Sequence, residues 1–181
     1  MSFNGAVYLD ANFLIAYSGK NTKQPSIHKG AKILFAKLLA EKKQIMVSPL
    51  VFDEAWFGIR KEVAPKKVLN KNRLFISALL NKIGLRLLNE GIINFACFEI
   101  IDQLRTFNNS LLSLENFKVV QFNDQRDGIK RALDNIEKYK LQPRDAFHLA
   151  YMQDNNVNNF ITRDKKDFSN NKQLSLNIIN F

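Results

Sequence analysis

The chain has a single cysteine, Cys97, so no intrachain disulfide can form, as expected of a protein from a reducing cytosol. No run of about 18 apolar residues occurs, so no helical membrane span is expected. The first residues lack a basic segment followed by a long apolar core, so no signal peptide is expected either. Internal repeats, low-complexity segments and linker-like stretches are missing too. These absences lead to the expectation of one cytoplasmic globular domain over 1–181, and a chain this long buries roughly 70% of its unfolded surface without staples.

Acids are the scarce charge. Seventeen Asp and Glu stand against 27 Lys and Arg, a net charge of +10. Such an excess attracts phosphate polymers, whose counterions are released on binding. The plainer reading is solubility. The densest basic stretch runs from Arg60 to Arg86 and includes Lys66, Lys67, Lys71 and Arg73, with Glu62 its one acid. Those four are candidate RNA contacts, or they line a solvated helix face.

What is present alternates strand and helix. Apolar runs predict strands at Ala6–Leu9, Gln44–Val47, Val119–Phe122, Phe160–Thr162 and Leu176–Ile179. Helical spacing predicts helices over Asn12–Tyr17, Ser26–Glu41, Pro49–Val63, Asp124–Tyr139 and Pro143–Gln153. Ser26 and Ser48 are expected as N-caps, and Ile129, Ala132, Leu133 and Ile136 as the inward face of their helix. From 65 to 107 only helical patterns appear, one over Lys67–Leu88 and one over Ile92–Phe107, which reads as a helical insertion. The alternation predicts an α/β fold, a mostly parallel sheet of about five strands.

The few acids fall at telling places. Asp10 ends the first strand, where open α/β sheets bind ligands, or it caps the helix that follows. Asp164 lies just past the fourth strand, and Glu54 and Asp145 lie in early helical turns. All four can converge on one sheet edge. Two carboxylates about 5 Å apart repel by roughly 3 kcal/mol at an effective dielectric near 20, so such a cluster needs protons, basic partners or a cation. Hard divalent ions, Mg²⁺ or Mn²⁺, suit all-oxygen ligands and reach for phosphate. The residues by themselves therefore point to a metal-dependent phosphodiesterase.

Four segments carry a resemblance. Leu9-Asp10-Ala11-Asn12-Phe13-Leu14-Ile15 resembles the opening motif of the PIN-domain nucleases. Ser48 through Glu54 resembles their second motif, Pro143-Arg144-Asp145-Ala146-Phe147-His148-Leu149-Ala150 the third, and Ile161-Thr162-Arg163-Asp164-Lys165-Lys166-Asp167-Phe168 the fourth. All four come in the family's order and together span nearly the whole chain.

The resemblance implies a three-layer α/β/α fold and an endoribonuclease of single-stranded RNA. It implies Asp10, Glu54, Asp145 and Asp164 as the catalytic and metal-holding acids, for one or two Mg²⁺ or Mn²⁺ ions. Asn12, Thr162, Asp167 and His148 are supporting residues on the same ground: Asn12 beside Asp10, Thr162 positioning the fourth acid or a water, Asp167 as a cap, and His148 packed behind the acids. Glu54 is placed ahead of its neighbour Asp53. Small relatives are often toxins held by an antitoxin protein, which makes such a partner, and a homodimer, matters the resemblance raises. Ala11 departs from the usual hydroxyl residue, which leaves room for a PIN-fold module that binds RNA or protein without cutting. A haloacid-dehalogenase-type phosphatase wants an acid where Asn12 stands.

Overall fold

The computed structural model describes residues 4–19, 24–68, 100–163, 168 and 174–181, with backbone only over 63–68. Five strands form one parallel sheet: β1 (Val7–Leu9), β2 (Ile45–Val47), β3 (Phe117–Val119), β4 (Asn159–Ile161) and β5 (Asn177–Ile179), in the order β3-β2-β1-β4-β5. β1 is central. Val7 pairs with Ile45 on one side and with Asn159 on the other. Every residue of β1 and β4 is buried, which is why β1 reads as an unbroken apolar run and why β4 holds one polar residue, Asn159, whose amide donates to the Asn4 and Ala6 carbonyls.

Helices α1 (Ala11–Tyr17), α2 (Pro25–Ala40) and α3 (Pro49–Val68) follow the first two strands. Helix α4 spans 100–112 and precedes β3. Helices α5 (Gln125–Tyr139) and α6 (Pro143–Asp154) form a packed pair before β4. The whole is the expected three-layer α/β/α arrangement. α6 buries most of its circumference, through Ala146, His148, Leu149, Ala150 and Met152. α5 buries only Gly128, Ala132 and Asn135. Asn135 ties the pair by donating to the Ala146 carbonyl at 3.3 Å and to Gln153 Oε1 at 3.0 Å. Glycine is required at 128, because a Cβ there would lie 2.2 Å from the Phe122 ring.

Several expectations need correction. The third strand is Phe117–Val119, not Val119–Phe122. β3 pairs along β2 from Ile45↔Phe117 to Val47↔Val119 and then leaves the sheet. Phe122 is buried elsewhere, stacked on Tyr151 at 4.0 Å, so its hydrophobicity reports helix packing rather than a ladder. Ile129 and Leu133 are 50% and 60% exposed, because the close Gly128–Phe122 contact turns α5 so that the 128/132/135 line faces inward. α3 continues through Pro65 to Val68 instead of ending near Val63. α2 opens at Pro25 with Gln24 before it, so Ser26 lies inside the helix. Most of the 65–107 segment lies outside the described residues. No described helix is long and apolar enough to cross a membrane.

Candidate active site

The strand order reverses between β1 and β4. In open α/β sheets that junction leaves a crevice beyond the carboxyl ends of the strands. Asp10 follows β1 there and Thr162 follows β4, with the Asp10 amide donating to the Ile161 carbonyl at 3.0 Å. Asp10 occupies the N-cap position of α1, yet its side chain makes no capping bond. It accepts instead from the Thr162 hydroxyl at 2.6 Å and from Asn12 Nδ2 at 3.0 Å. Both bonds land on Oδ2, so Oδ1 lies outside them. An acid spent on helix capping would use its oxygens on the N–H groups of the first turn. This one is oriented by side chains, and it is 7% exposed.

Glu54 comes from the second turn of α3. Its Oε1 lies 3.4 Å from Arg144 Nε and its Oε2 lies 3.2 Å from His148 Nε2. The other nitrogen of His148 meets the Tyr8 hydroxyl at 3.0 Å, and Tyr8 donates to Ser48 Oγ at 2.7 Å. Tyr8, Ser48 and His148 are all essentially buried. A buried polar chain thus runs from β1 through α6 to a carboxylate on α3, with each member satisfied by the next. Burial pushes the Tyr8 hydroxyl's pKa far above its ordinary value, so the phenol stays neutral. Asp10 accepts from two side-chain donors, and Glu54 is held between Arg144 and His148.

One ligand atom from each of Asp10, Glu54 and His148 lies within 4.8 Å of the others. At that separation the two carboxylates repel by roughly 3 kcal/mol at a dielectric near 20. Arg144, and His148 when protonated, offset part of this, and a divalent cation would offset more. The carboxylates of Asp10 and Glu54 suit Mg²⁺ or Mn²⁺, while both nitrogens of His148 are taken up by Tyr8 and Glu54. The cluster opens onto a cavity of about 450 Å³ lined also by Asn12, Gln142, Pro143, Asp145, Thr162 and Phe168. Another cavity, about 400 Å³, lies against Ile59, Ile100, Leu104 and Phe107, and its one carboxylate is Asp102.

A close approach of α1 to α3 makes the meeting of Asp10 and Glu54 feasible. Gly58 faces Ile15, whose Cδ1 would lie 2.2 Å from a Cβ at that position. Glu54 sits one turn before this glycine. A larger residue there would require the Ile15 side chain to move.

A family model described as the PIN domain matches residues 7–173. The chain belongs to the PIN domain family. None of the curated proteins matches it in sequence. Among solved structures, the crystal structure of Mycobacterium tuberculosis VapC20, a sarcin-ricin loop cleaving toxin, is similar. It shares 16% identity, over 91% of this chain and 95% of that one, with a TM-score of 0.46.

Within this PIN fold the expected site residues fall as follows. Asp10, Glu54 and Asp145 line one cavity, with Asn12, Thr162 and His148 around them. Asp145 lies in the first turn of α6 and is half-buried. Asp53 is exposed and does not line the cavity. Thr162 bonds Asp10, and His148 bonds Glu54. Asp164 and Asp167 lie outside the described residues, as do Lys71, Arg73 and the side chains of Lys66 and Lys67. Sequence reasoning missed Tyr8 and the bond that Ser48, the residue before α3, accepts from it. The signal was there for Tyr8: a phenol in a strand otherwise aliphatic and buried must bring its own hydrogen-bond partner.

Proposed function

We propose that this PIN-domain protein is a metal-dependent endoribonuclease that hydrolyses single-stranded RNA. The observation that supports it best is the Asp10–Glu54–His148 cluster at the carboxyl edge of the sheet, within a family of PIN domains. Asp10, Glu54, Asp145 and Asp164 are the acids of the site, with Mg²⁺ or Mn²⁺ as the cofactor. A bound divalent ion supplies the charge that acidifies an attacking water and stabilises the oxygen that leaves.

The chain's own residues set up that chemistry. Asn12 and Thr162 hold Asp10 by Oδ2 and keep its other oxygen out of both bonds. His148, braced by Tyr8, and Arg144 hold Glu54 from two sides. Arg144 is 68% exposed, so its guanidinium also meets a phosphate arriving at the cavity mouth. The net charge of +10 draws the polyanion to the surface. An antitoxin-like protein that covers the acidic cavity is the partner this reading carries with it.

The test is cleavage of mixed-sequence single-stranded RNA with Mg²⁺ or Mn²⁺, with and without chelator, beside Asp10→Asn. Cleavage that needs the metal and disappears in the variant supports the proposal. No cleavage by the unaltered protein under either metal refutes it in favour of a PIN module that binds without cutting.

A further inference from the structure

A smaller hollow adjoins the acid cavity at Asn12, which lines both. It measures about 60 Å³ and is lined by Asn12, Gln24, His28 and Arg163, with Ile15 and Ile27 as apolar wall. Asn12, Gln24 and Arg163 are exposed, so its mouth faces solvent. His28 stands in the first turn of α2, and its Nδ1 lies 2.8 Å from the Ala16 carbonyl oxygen in the last turn of α1. A carbonyl only accepts, so Nδ1 carries a proton, and in the neutral ring Nε2 is an acceptor. Gly19, at φ +69°, admits the ring: a Cβ there would lie 2.7 Å from Cε1. Asn12 turns its Nδ2 to Asp10, so its Oδ1, a second acceptor, points away from that acid. Arg163 is a donor only. It follows Thr162, whose amide donates to the Ile179 carbonyl and whose hydroxyl donates to Asp10, so its root in the chain is fixed.

We propose that this hollow is a ribose–phosphate subsite for a nucleotide next to the one cut, with Arg163 on the phosphate and His28 Nε2 accepting the 2′-hydroxyl. The inference rests on the endoribonuclease reading and deepens it. Size excludes a base. A water-sized atom needs roughly 10–15 Å³, so about 60 Å³ holds roughly four to six of them, fewer than a nucleobase contains. The lining selects the rest. A carboxylate or a phosphate by itself only accepts, so it would satisfy Arg163 and turn further acceptors on Nε2 and Oδ1. A nucleotide of RNA brings an anion and a hydroxyl donor together, and the 2′-hydroxyl is what separates RNA from DNA. An acidic side chain of a protein partner has no such pair. Ile15 and Ile27 meet the carbon face of the sugar. Because Asn12 borders both cavities, a strand lying at Asp10 and Glu54 continues into this one.

The experiment measures the affinity of fluorescein-labelled single-stranded RNA, and of DNA of the same sequence, by anisotropy in chelator at several salt concentrations. Cleavage of the RNA is followed in Mn²⁺. The unaltered protein is expected to bind RNA about three- to tenfold tighter than DNA, as for one added hydrogen bond. His28→Asn keeps a nitrogen placed to donate to the Ala16 carbonyl and removes Nε2; it is expected to abolish the preference by weakening RNA alone. Arg163→Ala, at an exposed position, is expected to weaken both strands and to lower the slope of log affinity against log salt by about 0.7, the value for one phosphate contact on a single strand. Should His28→Asn fail to fold, RNAs carrying single 2′-deoxy nucleotides take its place on the unaltered protein, and one substituted position is expected to account for the preference. A preference that His28→Asn retains, or none at all, refutes the ribose contact. If the protein cleaves RNA and both variants bind as wild type does, the subsite is refuted, this face is left to a protein partner, and the nuclease reading stands. If the unaltered protein neither binds nor cleaves, the nuclease reading itself falls.

Discussion

Replacing Tyr8 by Phe tests the buried chain that braces Glu54. The change removes one oxygen and keeps the ring, so packing against Phe160 and His148 is retained. Lost with it are the 2.7 Å bond to Ser48 Oγ and the 3.0 Å bond to His148 Nδ1. Both partner groups are buried, and a buried polar group left without a partner costs about 1–3 kcal/mol. His148 keeps Glu54 on its other nitrogen, so the expected loss is about 3 kcal/mol rather than the full sum. For a chain of this length, that lowers Tm by roughly 6–12 °C. Urea unfolding followed by the fluorescence of Trp56, the only tryptophan, gives the value as a shift in midpoint at constant slope. Alkaline pH adds a second reading. The unfolded tyrosine ionises near its ordinary value of about 10, while the buried phenol keeps its proton well above that. The unfolded state then binds fewer protons than the folded one, so this residue's contribution is intact below pH 10. It is lost above, by up to about 1.4 kcal/mol per pH unit. Tyr8→Phe lacks that slope, so its deficit relative to wild type narrows between pH 10 and 11. A loss under about 0.5 kcal/mol at pH 7, or a deficit that stays constant into alkali, would refute the reasoning.

Mn²⁺ at a hundred times its Kd is expected to stabilise the protein by about 2.7 kcal/mol and to raise Tm by several degrees, with the rise absent in Asp10→Asn; an equal rise in both proteins would take Asp10 out of the metal site. Gly128→Ala improves helix propensity by about 1 kcal/mol, yet is expected to destabilise by a net 1–3 kcal/mol in urea, because the added methyl would sit 2.2 Å from a ring packed against Tyr151. The double change Ile129→Gln with Leu133→Gln is expected to shift stability by under 1 kcal/mol, since both side chains are at least half exposed; a loss above 3 kcal/mol would mean that this face of α5 is packed after all.

The sheet and the order of its elements were legible because buried parallel strands are short apolar runs and the helices between them keep their own period. Asp10 and Glu54 were legible as acids at the sheet edge. The partner that orients each was not: Thr162 lies 152 residues from Asp10 and His148 lies 94 from Glu54, and no local pattern encodes such pairings. The inward face of α5 was misread for a physical reason. Ile129 and Leu133 look like core by hydrophobicity, yet a glycine and an asparagine define the buried line, one for close approach and one for hydrogen bonds. The third strand was misplaced because Phe122 is buried against Tyr151 outside the sheet, while Val120 adds only its amide bond to the Val47 carbonyl past the last paired residue.

The Thr162–Asp10 bond also has a meaning in time. It joins the first strand to a residue that leaves the ribosome 152 positions later, and it can close only when β4 has docked beside β1. Closing so long a loop comes late in assembly. A nascent chain that already carries Asp10, Glu54 and His148 therefore still lacks the hydroxyl that orients its first acid. The site is completed only once β4 has docked, and chains made short of β4 do not carry it in finished form.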